Sequence, residues 1–273
     1  MIYTFKKIKV FLIIYSCLMS GITLIAENNF DQILETHKQF LAQLPCQALV
    51  QGILEKRIPG QILYLENEPI CILMTTNRIG AVLAGQPNEQ QLKTILELLS
   101  KHEKSLLICP QSLQSFFMEH GYAVQKRMAF ECTSPRYFVK DFMCPDGYVV
   151  QPINSIDIFK QCSGFSAKTV LWGSPENFLE NSFGYVLVSQ EGKVVAECYG
   201  AWCGNDMCEI VVATHPDFQG NGFSTFLTKH FIHECFARNV TPLWSCNCDN
   251  AASIKVALKC GFKVKNYYTW LMK

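Results

Sequence analysis

A glycine-rich turn between an apolar strand and a long helix is the strongest pattern in this chain. The strand pattern covers residues 207–214, the turn is Gln219-Gly220-Asn221-Gly222, and the helix pattern follows directly. The first N–H groups of a helix lack intrahelical acceptors and the helix dipole adds partial positive charge, so such a turn can bind an anionic phosphate. Glycines let a ligand approach the backbone closely. We therefore expect a main-chain phosphate site at this turn.

Two common nucleotide motifs do not match this turn. It lacks the lysine of a Walker A loop and the spacing of a dinucleotide fingerprint, so ATP and NAD fit poorly. The pyrophosphate of a different cofactor fits better. The alternative is a plain strand-to-helix connection in which Gly220 and Gly222 serve backbone geometry alone.

Apolar patterns of two periods alternate along the rest of the chain. The period of a strand predicts strands at 61–65, 70–74, 80–84, 105–109, 122–132, 148–152, 184–189, 193–202, 207–214, 242–246 and 263–272. The period of a helix predicts helices at 30–44, 88–101, 112–120, 156–165, 175–181, 222–238 and 251–260. Strands interleaved with helices indicate the α/β class.

The length and the turn-forming residues indicate two domains. The chain has 273 residues, and single cores usually stop growing near about 250 residues. Proline and glycine near 135 and 145–147 favour a break in regular structure. We predict a signal-like or anchor-like segment at 1–26, an N-terminal α/β domain at 27–134, a linker at 135–147 and a C-terminal domain at 148–273. His120-Gly121-Tyr122 and Cys260-Gly261-Phe262 close helices alike, which favours an N-terminal domain that is a degenerate copy of the C-terminal one.

Charge and cysteine content restrict the partners and the compartment. The net charge is +1, so no long-range field attracts nucleic acid or an anionic membrane. The 14 cysteines are scattered through apolar runs, as expected of reduced, buried side chains in a cytoplasmic protein. Three lysines before an uncharged stretch at 10–26 are the layout of a secretory signal or membrane anchor, so an exported or anchored protein is the alternative. A true start at Met19 would remove those lysines.

Two blocks of sequence resemble the GNAT superfamily of N-acetyltransferases. Gln219-Gly220-Asn221-Gly222-Phe223-Ser224 is similar to its signature of Gln or Arg, two residues, Gly, one residue, then Gly or Ala, with Ser224 as a mild departure. Asn250-Ala251-Ala252-Ser253, followed by Lys259-Cys260-Gly261-Phe262, resembles the second coenzyme A helix and the strand after it. Pro242-Leu243-Trp244-Ser245-Cys246 before Asn250 and Ser253, with an N-terminal domain of this size, looks like the bacterial group that contains the zwittermicin A resistance acetyltransferase.

The resemblance implies a fold, a cosubstrate and its contacts. The fold is a GNAT-like mixed central sheet with flanking helices, after a smaller α/β domain. Acetyl-coenzyme A is the implied acyl donor, no metal is needed, and the acceptor is an amine, with a small molecule favoured over a protein N-terminus. The implied cofactor-binding residues are Val212, Thr214, Gln219, Gly220, Asn221, Gly222, Phe223, Ser224, Thr225, Asn250 and Ser253. Asn250 is equally well explained as a helix N-cap.

The resemblance also assigns the catalytic base. Glu209 opens the strand before the turn, at the position where several GNAT enzymes carry a glutamate that removes the proton of the amine. His215 is a second candidate. The tyrosine acid of many members is replaced by Ala257, which leaves open the identity of the proton donor. The alternatives are Ser245, Cys246, Cys248, Tyr267 and Tyr268, or departure of the thiolate without an acid.

Other readings of these residues remain. The missing tyrosine suits a noncatalytic acyl-coenzyme A sensor, and an exported protein could keep the fold without the cofactor. His230 and His233 share a helical face, but no further ligand cluster is evident, so a zinc site is not predicted.

Overall fold

A computed structural model describes residues 22–24, 46–65, 68–75, 80–83, 85–100, 106–134, 143–163, 165–204 and 206–273. The predicted helix at 30–44, nearly all of the segment at 1–26 and residues 135–142 of the predicted linker lie outside the described residues.

Strands and helices alternate through the described chain. The strands are β1 (Ile22–Leu24), β2 (Gly60–Leu65), β3 (Glu68–Thr75), β4 (Ala81–Leu83), β5 (Leu106–Ile108), β6 (Ala123–Glu131), β7 (Tyr148–Pro152), β8 (Gly184–Ser189), β9 (Val194–Gly204), β10 (Met207–Thr214), β11 (Thr241–Asn247) and β12 (Lys263–Met272). The helices are α1 (Gln47–Leu54), α2 (Glu89–Ser100), α3 (Gln114–Glu119), α4 (Ile156–Gln161), α5 (Phe165–Trp172), α6 (Pro175–Asn181), α7 (Phe223–Ala237) and α8 (Ala251–Lys259). The predicted α/β class is confirmed.

Contacts between residues divide the chain into two compact units. The first consists of Met1–Pro45, Gly60–Val124 and Trp270–Lys273, and the second of Cys46–Pro59 and Gln125–Thr269. Both units take segments from distant parts of the sequence, unlike the linear division at 134 and 148. Compact units are defined by contacts and not by independent folding, so the domain boundaries stay a prediction.

The first unit is a mixed sheet with an apolar core. Its strand order is β1-β2-β3-β4-β5, followed by the end of β12. The pairs are antiparallel except β4 with β5, which is parallel. The apolar face of α2, with Leu92, Ile95 and Leu99, packs in a cluster with Leu107 and Phe117. This is the face that the helical period predicts.

The second unit is also a mixed sheet, in the order β12-β6-β11-β10-β9-β8-β7. β10 and β11 are parallel, while β11 with β6, β9 with β10, β8 with β9 and β7 with β8 are antiparallel. α7 packs against β8 to β11, and α1 packs against β9 and β10. Ser155 and Ser174 cap α4 and α6 through their hydroxyl oxygens, which accept from backbone N–H groups three residues on.

Two helices differ from the sequence-based expectation. α1 was not predicted, because it has only eight residues and contains Gly52, a residue that is unfavourable inside a helix. The predicted helix at 156–165 ends at Gln161, and α5 follows as a separate helix that begins at Phe165.

The cysteines differ from expectation at one place. Cys203 of β9 and Cys208 of β10 are neighbours across the strand pair and are joined by a disulfide. The expectation that the cysteines are reduced is therefore wrong for this pair. Ten other cysteines of the described part of the chain are not in disulfides. Among the described residues, no helix is both long and apolar enough to cross a membrane.

Candidate functional site

A gap opens between two parallel strands in the second unit. β10 and β11 pair only from Met207–Thr241 to Glu209–Leu243, although β10 runs to Thr214 and β11 to Asn247. Beyond Glu209 the edge of β10 that faces β11 therefore presents main-chain polar groups that this strand does not satisfy. Such groups need partners when they are covered. The gap suits an extended ligand that carries amide groups.

The glycine-rich turn lies at the end of β10. Gly220 and Gly222 have φ values of 85° and 79°, which L side chains rarely adopt, and a Cβ at either glycine would meet nothing within 4 Å. Gly222 is the N-cap of α7 and provides no side-chain cap, so the first-turn N–H groups of this 15-residue helix are left for another acceptor. The predicted strand, turn and helix are all confirmed.

Side chains around the turn stabilise its shape. The hydroxyl groups of Thr214 and Ser224 are 2.7 Å apart, which joins the end of β10 to the first turn of α7. Gln219 donates to the carbonyl of Thr214 at 3.4 Å, and Asn221 donates to the carbonyl of Phe218 at 3.1 Å. Ser224, the departure from the family signature, thus has a structural partner. The turn combines a formed backbone with open space above its glycines.

Glu209 is a buried carboxylate where β10 and β11 separate. Only 8% of its surface is exposed, and the Ser245 hydroxyl donates a hydrogen bond to its Oε1 atom. Burial raises the pKa of Glu209 above its ordinary value, while the Ser245 hydrogen bond and the positive charge of Arg127 oppose that rise. A carboxylate with a raised pKa is a better general base near neutral pH than an exposed one.

Arg127 is a functional candidate that sequence reasoning missed. It lies on β6 opposite Asn247, donates from Nη2 to the Ser245 hydroxyl at 2.9 Å, and donates from Nη1 to Asn247 Oδ1 at 2.5 Å. No local motif marks Arg127, and the predicted domain boundary placed it in the N-terminal domain. Only the pairing of β6 with β11 could have identified it.

The structure separates the candidate proton donors. Tyr268 belongs to the Glu209 neighbourhood, because Glu209 and Ser245 both affect its pKa, which burial raises well above the ordinary value. Cys46 donates from Sγ to the Tyr268 hydroxyl at 3.7 Å. Tyr267 is 65% exposed, and as the adjacent residue of β12 it projects to the opposite face.

The remaining candidates do not meet Glu209. Cys246 follows Ser245 on β11 and so projects to the other face of the sheet. Burial raises the pKa of its thiol there, and hydrogen bonds with Ser253 and Trp244 oppose that rise. Cys248 lies past the end of β11. Ala257 is fully buried and carries no proton donor. Of the five residues that the sequence offered as proton donors, the structure therefore brings Ser245 and Tyr268 to Glu209.

The second sequence block has structural roles of its own. Asn250 is the N-cap of α8, and its Oδ1 atom accepts from the Ser253 N–H at 3.0 Å. The Ser253 hydroxyl accepts from the indole N–H of Trp244 at 3.1 Å. The carbonyl of Thr225, in the first turn of α7, accepts from the Cys260 thiol at 3.5 Å. Val212 lies on β10 past the last pair with β11. Contacts of these residues with a cofactor stay predictions.

The histidines give no support to a metal site. His215 caps the short turn at 216–218, since its Nδ1 atom accepts from the Asp217 N–H at 3.3 Å. Burial and the neighbouring His233 lower the pKa of His230. In the part of the chain that the structure describes, no three His, Cys, Asp or Glu side chains are grouped so that they could hold a metal ion.

Comparisons with known proteins agree with this geometry. The uncharacterized N-acetyltransferase YdfB of Bacillus subtilis strain 168 is 24% identical over 237 residues, which cover 82% of this chain and 89% of the relative. A GCN5-related N-acetyltransferase-like protein from Streptococcus suis has a TM-score of 0.71 at 18% identity and covers 89% of this chain and 98% of its own. A GCN5-related N-acetyltransferase from Sphaerobacter thermophilus has a TM-score of 0.59 at 12% identity, with 92% and 94% covered.

At these identities the two solved structures establish the fold alone. The family itself is established by a family model, described as GNAT acetyltransferase, that matches residues 38–271. That range includes the glycine-rich turn, Glu209, Arg127 and both sequence blocks. This chain therefore belongs to the GNAT acetyltransferase family and is an acyltransferase.

Proposed function

We propose that this protein transfers the acetyl group of acetyl-coenzyme A to an amine of a small molecule. The observation that carries the proposal is the gap between β10 and β11, which begins beside the buried carboxylate of Glu209 and leads along β10 to the open glycine turn. The five residues of β10 after Glu209 extend about 17 Å to the end of the strand, and the turn follows from there. The gap thus connects a candidate base with a candidate phosphate site.

The residues present match the parts of the cosubstrate. The first-turn N–H groups of α7 and the turn at 219–222 would hold the pyrophosphate. The unpaired main-chain groups of Ile210–Thr214 would bind the two amide groups of the pantetheine arm. The thioester supplies an activated acyl carbon. Thr214 and Ser224 would hold the turn in place.

Glu209 would act on the acceptor amine. A protonated amine has no free electron pair, so Glu209 would take a proton from the amine, directly or through water. The amine nitrogen then bonds to the carbonyl carbon, and the carbon–sulfur bond breaks with its electron pair on sulfur. The second proton that the nitrogen loses passes to the departing thiolate, either through solvent or by way of Tyr268, which donates its own proton to sulfur and is reprotonated. The raised pKa of Tyr268 keeps its phenol protonated and able to donate.

For the acceptor, only a chemical class is proposed. The segment at 242–246, together with Asn250 and Ser253, resembles the zwittermicin A resistance group, which supports an amino-bearing metabolite or drug as the acceptor. The noncatalytic sensor is the competing function, because Ala257 replaces the usual tyrosine. The two differ in whether binding is followed by release of free coenzyme A.

Calorimetric titration of the full chain with acetyl-coenzyme A tests the cofactor site. We expect saturable binding, and at least about tenfold weaker binding by Gly222→Glu, because the new carboxylate would stand where the phosphates approach. Gly121→Glu is the matched control. Gly121 also has a positive φ of 88°, an added Cβ there would meet only Lys273 Cε at 3.9 Å, and the residue lies outside the proposed site. A folded wild-type protein that does not bind would refute the proposal.

Turnover is measured next, as thiol release with a panel of amines. Transfer to an amine that falls at least about a hundredfold in Glu209→Gln, with binding of acetyl-coenzyme A retained, supports the enzyme. Binding with no turnover on any amine supports the sensor.

A further inference from the structure

Three strands meet around the candidate base, and one of them comes from the N-terminal half of the sequence. Glu209 is on β10, Ser245 is on β11 and Arg127 is on β6. We propose that Arg127 and Ser245 are positioning residues that keep Glu209 oriented and ionised for proton transfer. This inference rests on the proposed role of Glu209 as the base.

The chemistry of the donors fixes the direction of the hydrogen bonds. A guanidinium group can donate and cannot accept, so the bond from Arg127 Nη2 occupies a lone pair of the Ser245 oxygen. Ser245 has a single hydroxyl proton, and that proton is directed to Oε1 of Glu209. Arg127 thereby turns Ser245 into a dedicated donor. The second carboxylate oxygen, Oε2, is left to receive a proton.

A second contact holds the arginine itself. Nη1 of Arg127 donates to Asn247 Oδ1 at 2.5 Å, and Asn247 is the residue directly opposite Arg127 in the β6–β11 pair. Ser245 and Asn247 lie two residues apart on β11 and so face the same side of the sheet. The planar guanidinium therefore spans two side chains of one strand. A lysine at this position has no such fork.

The groups that face Glu209 determine the sign of the electrostatic effect. Arg127 from β6 is cationic. Tyr268 from β12 is a phenol whose pKa is raised by burial, and the Cys46 thiol, just before α1, lies next to that phenol. Burial favours the neutral carboxyl, and the arginine and the serine favour the carboxylate. Removal of either partner should therefore move the titration of Glu209 to higher pH.

Carboxyl carbon NMR of the full chain labelled at glutamate Cδ tests this directly. The Glu209 signal is identified by its loss in Glu209→Gln. We expect its titration midpoint to move to higher pH in Arg127→Met and in Ser245→Ala, and to move less in Arg127→Lys and Ser245→Thr, which retain charge or hydroxyl. Lys126→Met is the matched control, because it removes one positive charge from the adjacent, outward-facing residue of β6. Circular dichroism confirms that each variant is folded.

The result is independent of turnover, so it separates this inference from the proposed function. An unchanged Glu209 midpoint in folded Arg127→Met and Ser245→Ala would overturn the inference even if the protein is an active acetyltransferase. If Arg127→Met does not fold, Ser245→Ala and Arg127→Lys decide the question. With an amine substrate in hand, the acid limb of the kcat/KM profile should move with the NMR midpoint, and kcat/KM at pH 7 should fall about tenfold or more in Arg127→Met.

Discussion

A buried ion pair joins a helix to the sheet in the second unit. Lys168 of α5 is 0% exposed and Glu197 of β9 is 1% exposed, with 2.8 Å between Nζ and Oε2. The Ser163 hydroxyl donates to the other carboxylate oxygen at 3.0 Å, and the lysine Nζ lies 4.1 Å from the centre of the Tyr199 ring. Both oxygens of the carboxylate thus accept hydrogen bonds from protein side chains.

Loss of one partner of this pair should be costly. Lys168→Met leaves the Glu197 charge buried without its cation, so we expect the free energy of unfolding to fall by about 3–5 kcal/mol. The double change Lys168→Met with Glu197→Met should recover most of that loss, because it buries no charge. Urea denaturation measures both. Lys160→Met, at an exposed lysine of α4, is the control and should change stability by less than about 0.5 kcal/mol.

At Glu209, in contrast, removal of the buried charge should stabilise the protein. Its folded-state pKa is raised, so the folded protein binds the proton more tightly than the unfolded chain does. The stability contribution of the protonated carboxyl is present below the unfolded pKa and is lost as pH rises through the folded pKa. We expect Glu209→Gln to be more stable than the wild type at pH 8, with a difference that shrinks towards pH 4. Thermal denaturation across this range would contradict the assignment if the difference did not depend on pH.

At the scale of elements, α8 depends for stability on the N-cap residue that precedes it. The Asn250 side chain caps the helix by accepting from the Ser253 N–H. Asn250→Ala should lower the free energy of unfolding by about 1 kcal/mol, and Asn250→Asp, which keeps an acceptor, should lose less. Denaturant titration gives both values. Equal losses for the two substitutions would show that the cap is not what Asn250 contributes.

Regular elements were predictable because each has a visible signal. α2 carries its apolar residues at helical spacing, and β10 leads to a glycine turn that opens α7, so the predicted and observed bounds differ by one residue at most. α1 was missed because two turns are too short for a helical period to stand out and because Gly52 interrupts the pattern of helix-forming residues. α5 was merged into its neighbour because the sequence between Gln161 and Phe165 contains a single glycine and no proline to signal a break.

The site was predictable where it is local in sequence. Glu209 and the glycine-rich turn lie within one stretch of 14 residues, which contains the end of β10 and leads directly into α7. Arg127 and Tyr268 are 118 and 23 residues from Ser245, respectively. Only strand pairing brings Arg127 to Ser245, and strand pairing over such separations leaves no periodic trace in the sequence. The sequence therefore predicted a base and could not identify what surrounds it.

At the scale of the whole molecule, burial should govern the chemistry of the many thiols. Cys198, Cys235 and Cys260 are 0% exposed, and burial raises the pKa of each, for Cys260 to about 12. The thiolate is the nucleophile, so a thiol that is both inaccessible and protonated reacts slowly. Cys144 and Cys248 are partly exposed.

Alkylation of the native protein with iodoacetamide at pH 7.5, followed by peptide mass spectrometry, should therefore label Cys144 and Cys248 before Cys198, Cys235 and Cys260. Cys198, Cys235 and Cys260 should stay unlabelled until urea unfolds the chain, because they become accessible and regain an ordinary pKa together. Cys203 and Cys208 should be labelled in urea only after a reductant is added. Early labelling of Cys198 in folded protein would contradict the packing of the second unit, since that thiol lies within the same sheet that carries Glu209.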